Sequence, residues 1–230
     1  MITKYYLNAR LFPTLLTCIP LLVLTNFFLL NNANSLIPLS SIFQILINIG
    51  ISGALIFLMV QINRLLAKEV FQRIYFHDEL KMPTVNQLMG YDLTLEESIK
   101  NTIRERIQQY YNINLLDFDA EKVDELRARK LIASCLSLGR NDLRDNRLLL
   151  QHNIEYGFMR NLIGGSLLAF IFSIGTIFYS VAIENRALQF TAVLLALIYL
   201  IILLSSKSLI NYYGKTYAKI FFEQFLSLKK

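Results

Sequence analysis

The sequence predicts an all-α membrane protein with four transmembrane helices in two hairpins and a helical cytosolic domain inserted between them. Two observations carry this. The first is charge segregation: residues 64–160 hold 15 of the 23 Lys and Arg residues and 15 of the 17 Asp and Glu residues. The second is that a pair of apolar segments lies on each side of that block. The chain has 230 residues, is 54% hydrophobic and only 17% charged, and has a positive mean hydropathy. A soluble domain carries about 25% charged residues. A bilayer does not accommodate so many charges, so the block sits in water and the apolar pairs sit in the membrane.

The first span is residues 11–30, 20 residues without a charge. At about 1.5 Å per residue that length crosses a hydrocarbon core of about 30 Å. Lys4 and Arg10 precede it, and Pro20 lies inside it, where a proline kinks a helix. The run is longer than the apolar region of a signal peptide, so it is expected to be retained. Residues 31–40 are polar and short, with Pro38 as a breaker, and residues 41–62 form the second span. The third span is residues 161–183 and the fourth is residues 187–206, joined by the tight Glu184-Asn185-Arg186 loop. Basic residues flank each pair on its outer ends, so both termini and the central block are expected on the cytoplasmic side of the membrane. The predicted divisions are 1–62, 63–160, 161–206 and 207–230.

The net charge of +6 arises at the ends, because the central block is neutral. It marks topology rather than nucleic-acid binding by the block as a whole. The two cysteines, Cys18 and Cys135, fall in different environments and form no CxxC pattern, so neither a disulfide nor a metal framework is expected. His77 and His152 have no metal-ligand spacing around them. No GxSxG, HExxH, P-loop or GxGxxG motif occurs. No enzyme activity, metal or cofactor is therefore expected.

The block reads as helices. Leu65, Leu66, Val70, Phe71 and Ile74 continue a helical stripe beyond the second span. Pro83 and Gly90 bound a break. Thr94-Leu95-Glu96-Glu97 has the pattern of a capping box, opening a helix to about Tyr111. Asp119 is expected to cap a helix to about Leu138 that Gly139 ends. A last helix from Asn141 or Asp142 then runs into the third span. Residues 208–230 form a basic amphipathic helix with Ile210, Tyr213, Tyr217, Ile220, Phe221, Gln224 and Leu228 on one face. It suits either an anionic leaflet or packing on a cytosolic domain.

Two groups of residues are candidates for function. Gln44, Asn48 and Ser52 recur every four residues in the second span, and Ser166, Ser173, Thr176 and Ser180 share a face of the third. Such side chains are costly toward lipid, so they either pack helices together or line a water-filled pore. No Asp, Glu, Lys or Arg lies inside a span, which argues against proton coupling and voltage sensing. The second group is Arg127, Lys130, Arg140, Arg144 and Arg147, with Arg129 beside them. Arg140, Arg144 and Arg147 are expected on one helical face, where guanidinium groups bind phosphates bidentately. Asp124, Glu125, Asp142 and Asp145 compete as ion-pair partners. Tyr110 and Tyr111 either stack bases or pack in an interface.

The arrangement of two span pairs around a small helical cytosolic domain, with residues 148–165 (LLLQHNIEYGFMRNLIGG) at the junction, resembles the membrane effectors of bacterial antiviral signalling systems. It is similar to the channel effectors of the Hailong system. The resemblance implies a nucleotidyltransferase partner that makes oligodeoxyadenylate. It further implies that this ligand binds the cytosolic base of a homotetrameric channel and controls its opening. It assigns no particular arginine. The expected function is thus a homo-oligomeric ion channel in membrane lipid, gated by a nucleotide or oligonucleotide in anti-phage defence. The alternative is a membrane-anchored scaffold that recruits a cytosolic partner.

Overall fold

The computed structural model describes residues 4–32, 41–77 and 79–228, and for residues 28–32 and 41–52 it gives the helical backbone alone. The described residues are helical, with no strand among them. They form two compact units, Met1–Phe71 with Gly157–Ser206, and Gln72–Tyr156 with Lys207–Lys230.

In the first unit, α1 (Lys4–Tyr6) passes through a π-helical turn, Leu7–Leu11, into α2 (Phe12–Asn32). Pro13 lies just beyond the π segment and has no amide hydrogen for Ala9 O, which accepts from Asn161 Nδ2 instead. Pro20 lies inside the helix. α3 (Ser41–Leu65) continues through a second π segment, Leu66–Gln72, into α4 (Arg73–Phe76), so the helix does outrun the expected span. α9 (Arg147–Ala182) is one helix of 36 residues, as expected for a last cytosolic helix that runs into a span. Its turn to α10 (Arg186–Leu204) is made by Glu184, at a left-handed φ of 54°, and by Asn185, whose side chain accepts from Leu188 N at 3.0 Å. Among the described residues, three helices are long and apolar enough to cross a membrane: Lys4–Phe27, Arg147–Ala182 and Arg186–Leu204. On α10, Phe190, Leu194, Leu197, Ile201 and Leu204 are exposed, while Leu188, Ala192, Ala196 and Tyr199 are buried. One large-residue stripe thus suits lipid, and on the other side Ala192 and Ala196 admit neighbouring helices.

Close approach in this unit is set by glycine. A Cβ on Gly164 would lie 2.6 Å from both Ala67 N and Asn63 O. One on Gly165 would lie 2.5 Å from Thr17 Oγ1 and collide with the Asn63 amide. Asn63, fully buried, donates from Nδ2 to Thr17 Oγ1 at 2.8 Å and to Thr14 Oγ1 at 3.3 Å. Helices α2, α3 and α9 therefore meet around one amide.

The second unit contains α4, α5 (Pro83–Asn86), α6 (Glu97–Tyr111), α7 (Phe118–Val123), α8 (Glu125–Asp142), the start of α9, and all but the first residue of α11 (Ser206–Ser227). Leu88, Met89, Ile103, Ile107, Ile132, Leu136, Phe221, Phe222 and Phe225 form its core. α11 belongs to this core, and its buried line is Ile210, Ala218, Phe221, Phe222 and Phe225. That line is rotated from the face counted in the sequence. The small Gly214 and Ala218 let the helix approach closely, and a Cβ on Gly214 would already touch Pro83 at 3.1 Å.

Four expected boundaries are corrected. No capping box forms at α6: Glu96 precedes the helix without a side-chain cap, and Thr94 N instead bonds Asp92 Oδ1 at 2.8 Å. Asp117, not Asp119, caps α7, accepting from Ala120 N, and Asp124 caps α8. Gly139 does not end α8; Phe221 and Phe225 would lie 3.1 and 3.2 Å from a Cβ there, so it is a seat for rings. The last helix starts at Arg147, capped by Asn146, whose Oδ1 accepts from Leu149 N.

Candidate ligand-binding face

Helix α8 has two contrasting sides. Ala128, Arg129, Ile132, Cys135, Leu136 and Gly139 are buried. Leu126, Arg127, Lys130, Ser134, Ser137, Leu138 and Asn141 are exposed, and residues 126–141 contain no carboxylate. Arg127 and Lys130, three residues apart, share the outer side. Cys135 lies in the core, where burial raises its thiol pKa and keeps it protonated.

The expected face of Arg140, Arg144 and Arg147 does not exist as a helical stripe. Leu143 is buried and closes α8, and a turn follows, held by Arg144 N to Asn141 O and Asn146 N to Leu143 O, both bonds at 3.2 Å or less. Arg140 is in the last turn of α8, Arg144 in the connection, and Arg147 at the first position of α9. The helical spacing of 140, 144 and 147 is therefore broken between its members.

Three of the four acidic neighbours are engaged elsewhere, and among the described residues Asp145 makes no ion pair with these cations. Asp124 is used on the Arg127 backbone amide, Glu125 pairs with Arg129 at 2.7 Å, and Asp142 accepts from the Tyr111 hydroxyl at 2.7 Å. Burial, and then this bond to Asp142, raise the Tyr111 pKa, so the phenol remains a donor at neutral pH. Among the described residues, the side chains of Arg127, Lys130, Arg140, Arg144 and Arg147 make no hydrogen bond or ion pair. Tyr110 and Tyr111 do not offer free rings: both pack on Phe225, and the Tyr110 hydroxyl donates to Leu228 O.

Other charges are structural, and no sequence pattern marks them as such. Arg104 donates to Leu116 O, Leu88 O and Glu121 and stacks over Phe118 at 4.5 Å. Arg129 donates to Glu125, Leu80 O, Asn86 Oδ1 and the Tyr91 hydroxyl. Lys100 donates to Met89 O and Asp92 O, and Arg106 to Leu226 O and Leu228 O. These side chains tie turns, loops and the end of α11 to the helices by satisfying main-chain carbonyls.

A cleft of about 870 Å³ opens beside α6, with Asp92, Glu96, Glu97, Glu121 and Glu125 against Lys100 and Lys122 in its wall. Lys100 and Glu121 are already bonded inward, leaving an acidic mouth. Leu93 stands at this mouth, 93% exposed. Sequence reasoning misses this cleft because Glu97 reads as a helix-capping residue; the Asp92, Glu96, Glu97 cluster is its only signal.

In the first unit, Ser166, Ser173 and Thr176 are buried within a single chain. Each hydroxyl bonds the carbonyl four residues back: Leu162, Ala169 and Phe172. Ser180 bonds Ile177 O. In this conformation they face packed protein, as helix-packing residues do. The side chains of Gln44, Asn48 and Ser52 lie outside the described residues.

Compared with family models, with curated proteins and with solved structures, the chain matches none. The fold and composition define its class: an all-helical membrane protein with a separate, charge-bearing helical unit.

Proposed function

We propose that the chain is a four-span, two-hairpin protein of a bacterial inner membrane that assembles into a homo-oligomeric ion channel, and that a nucleotide or oligonucleotide gates it by binding the outer side of α8 and the turn after it. One observation carries this reading: among the described residues, five basic side chains in that region have no protein partner, although four carboxylates lie close in sequence. Unpaired guanidinium groups are suited to phosphate. α9 contributes to both compact units, so the ligand-binding unit and a membrane span share one helix. In this reading Ser166, Ser173 and Thr176 are packing residues, and any pore is lined by surfaces that meet between copies.

The topology is tested by reporter fusions after Asn34, after Glu184, within the α8–α9 turn and after Lys230. The first two are expected outside and the last two inside; a cytoplasmic signal at Asn34 overturns the two-hairpin arrangement. The ligand is tested on the full chain in nanodiscs with a short labelled oligodeoxyadenylate. Arg127→Ala with Lys130→Ala should weaken binding by about tenfold or more. For every phosphate that the variant no longer neutralises, the slope of log K against log salt should flatten by about 0.7–0.9. A wild-type chain with no saturable binding at low salt defeats the channel-sensor reading, and the scaffold takes its place.

A further inference from the structure

The second unit carries two exposed surfaces of opposite sign. One is the outer side of α8, with Arg127 and Lys130 unpaired and with Leu126 and Leu138 exposed beside them at 54% and 40%. The other is the cleft, with Glu96 and Glu97 at its mouth and Leu93 standing in solvent. They cannot neutralise each other within one chain. Glu125 lies in the cleft wall, and Arg127 is two residues further along the same helix, about 200° around its axis. The unit is thus close to neutral in total but divided in space.

We propose that the basic side of α8 in one copy seats in the acidic cleft of the next copy, head to tail. Charge complementarity is the main argument: each surface supplies the counter-ions the other lacks, and each brings an exposed leucine that the contact would cover. Because the two surfaces differ, the contact is heterologous, and repeating it generates a ring rather than an isolated two-fold pair. Membrane anchoring holds the units of all copies in one layer, which confines that repetition to a plane. On this last point the proposal rests on the oligomeric membrane reading above. It does not depend on the nucleotide, which would compete with the neighbouring cleft for Arg127 and Lys130.

The test uses two differently tagged full-length chains in the same membrane without oligonucleotide. One carries Glu97→Cys and the other Lys130→Cys, joined by a short bismaleimide; the buried Cys18 and Cys135 are retained. The mixed pair should cross-link at least about tenfold faster than either like pair, and more slowly as salt rises. A Lys219→Cys chain, changed on the exposed side of α11, should not join to Glu97→Cys. Adding Arg127→Glu to the Lys130→Cys chain should suppress the mixed product, and adding Glu96→Lys to its partner should restore it. That recovery separates a charge contact from misfolding. Equal rates for mixed and like pairs, or a failure of the second swap to restore the product, overturn the proposal. Loss of oligonucleotide binding with the cross-link intact removes only the ligand reading.

Discussion

Gly164→Ala should destabilise the membrane-helix unit by about 1–3 kcal/mol, the usual cost of forcing an extra methyl into a packed interior. The upper end is expected, because the obstacles are backbone atoms. The added carbon would stand 2.6 Å from Ala67 N and Asn63 O, and neither can rotate away. Gly165→Leu should do worse, since it would displace Asn63 from Thr17 and strand a buried amide. Gly175→Ala on the same helix meets nothing within 4 Å and should be neutral or gain up to about 1 kcal/mol from helix propensity. Thermal unfolding in detergent and the amount of chain recovered from membranes would report the difference. Equal stability of the Gly164 and Gly175 variants would show that these helices do not pack at Gly164.

Glu121→Ala should destabilise the second unit by about 3–5 kcal/mol, the range for removing one partner of a buried ion pair. Glu121 is 3% exposed; it accepts from Gly90 N at 2.7 Å and pairs with Arg104. Its removal strands a guanidinium whose remaining partners are two carbonyls. Arg104→Met combined with Glu121→Leu should recover part of the loss, because a matched apolar pair carries no stranded charge. Chemical denaturation followed by the tyrosine signal would measure the cycle. Additive effects of the two single changes would show that the side chains are not coupled.

The membrane half of the fold is legible because its signals are local. The Glu184-Asn185-Arg186 turn is readable from its neighbours, and so is the run of α9 into a helix long and apolar enough to cross a membrane. The helices between residues 112 and 147 are misplaced by sequence pattern for two reasons. Asp117, Asp119 and Asp124 are chemically equal as caps, and sequence alone does not choose among them. Gly139 looks like a helix stop until Phe221 and Phe225, more than eighty residues later, are seen to need its missing side chain. The buried Lys100 and Arg129 and the partly buried Arg104 are hidden by a sound rule, that such residues are rarely buried unless paired. Besides Glu121 and Glu125, most of their partners are carbonyls in the turns and loops around residues 80–92 and 116, which leave no trace in side-chain pattern. The basic side of α8 is legible as composition. Its freedom from ion pairs depends on where each neighbouring carboxylate goes.

The Asn63 amide also bears on the order in which the chain is made. The two threonines it bonds precede it, whereas the glycines that close around it follow by roughly a hundred residues, about 5–20 s of synthesis at 5–20 residues per second. During that interval helices α2 and α3 already hold partners for both amide hydrogens, supplied by Thr14 and Thr17. A polar group that would be costly in lipid is thereby sheltered before the third helix leaves the ribosome. Helices α2 and α3 therefore carry the surface that will receive Gly164 and Gly165 before α9 is made.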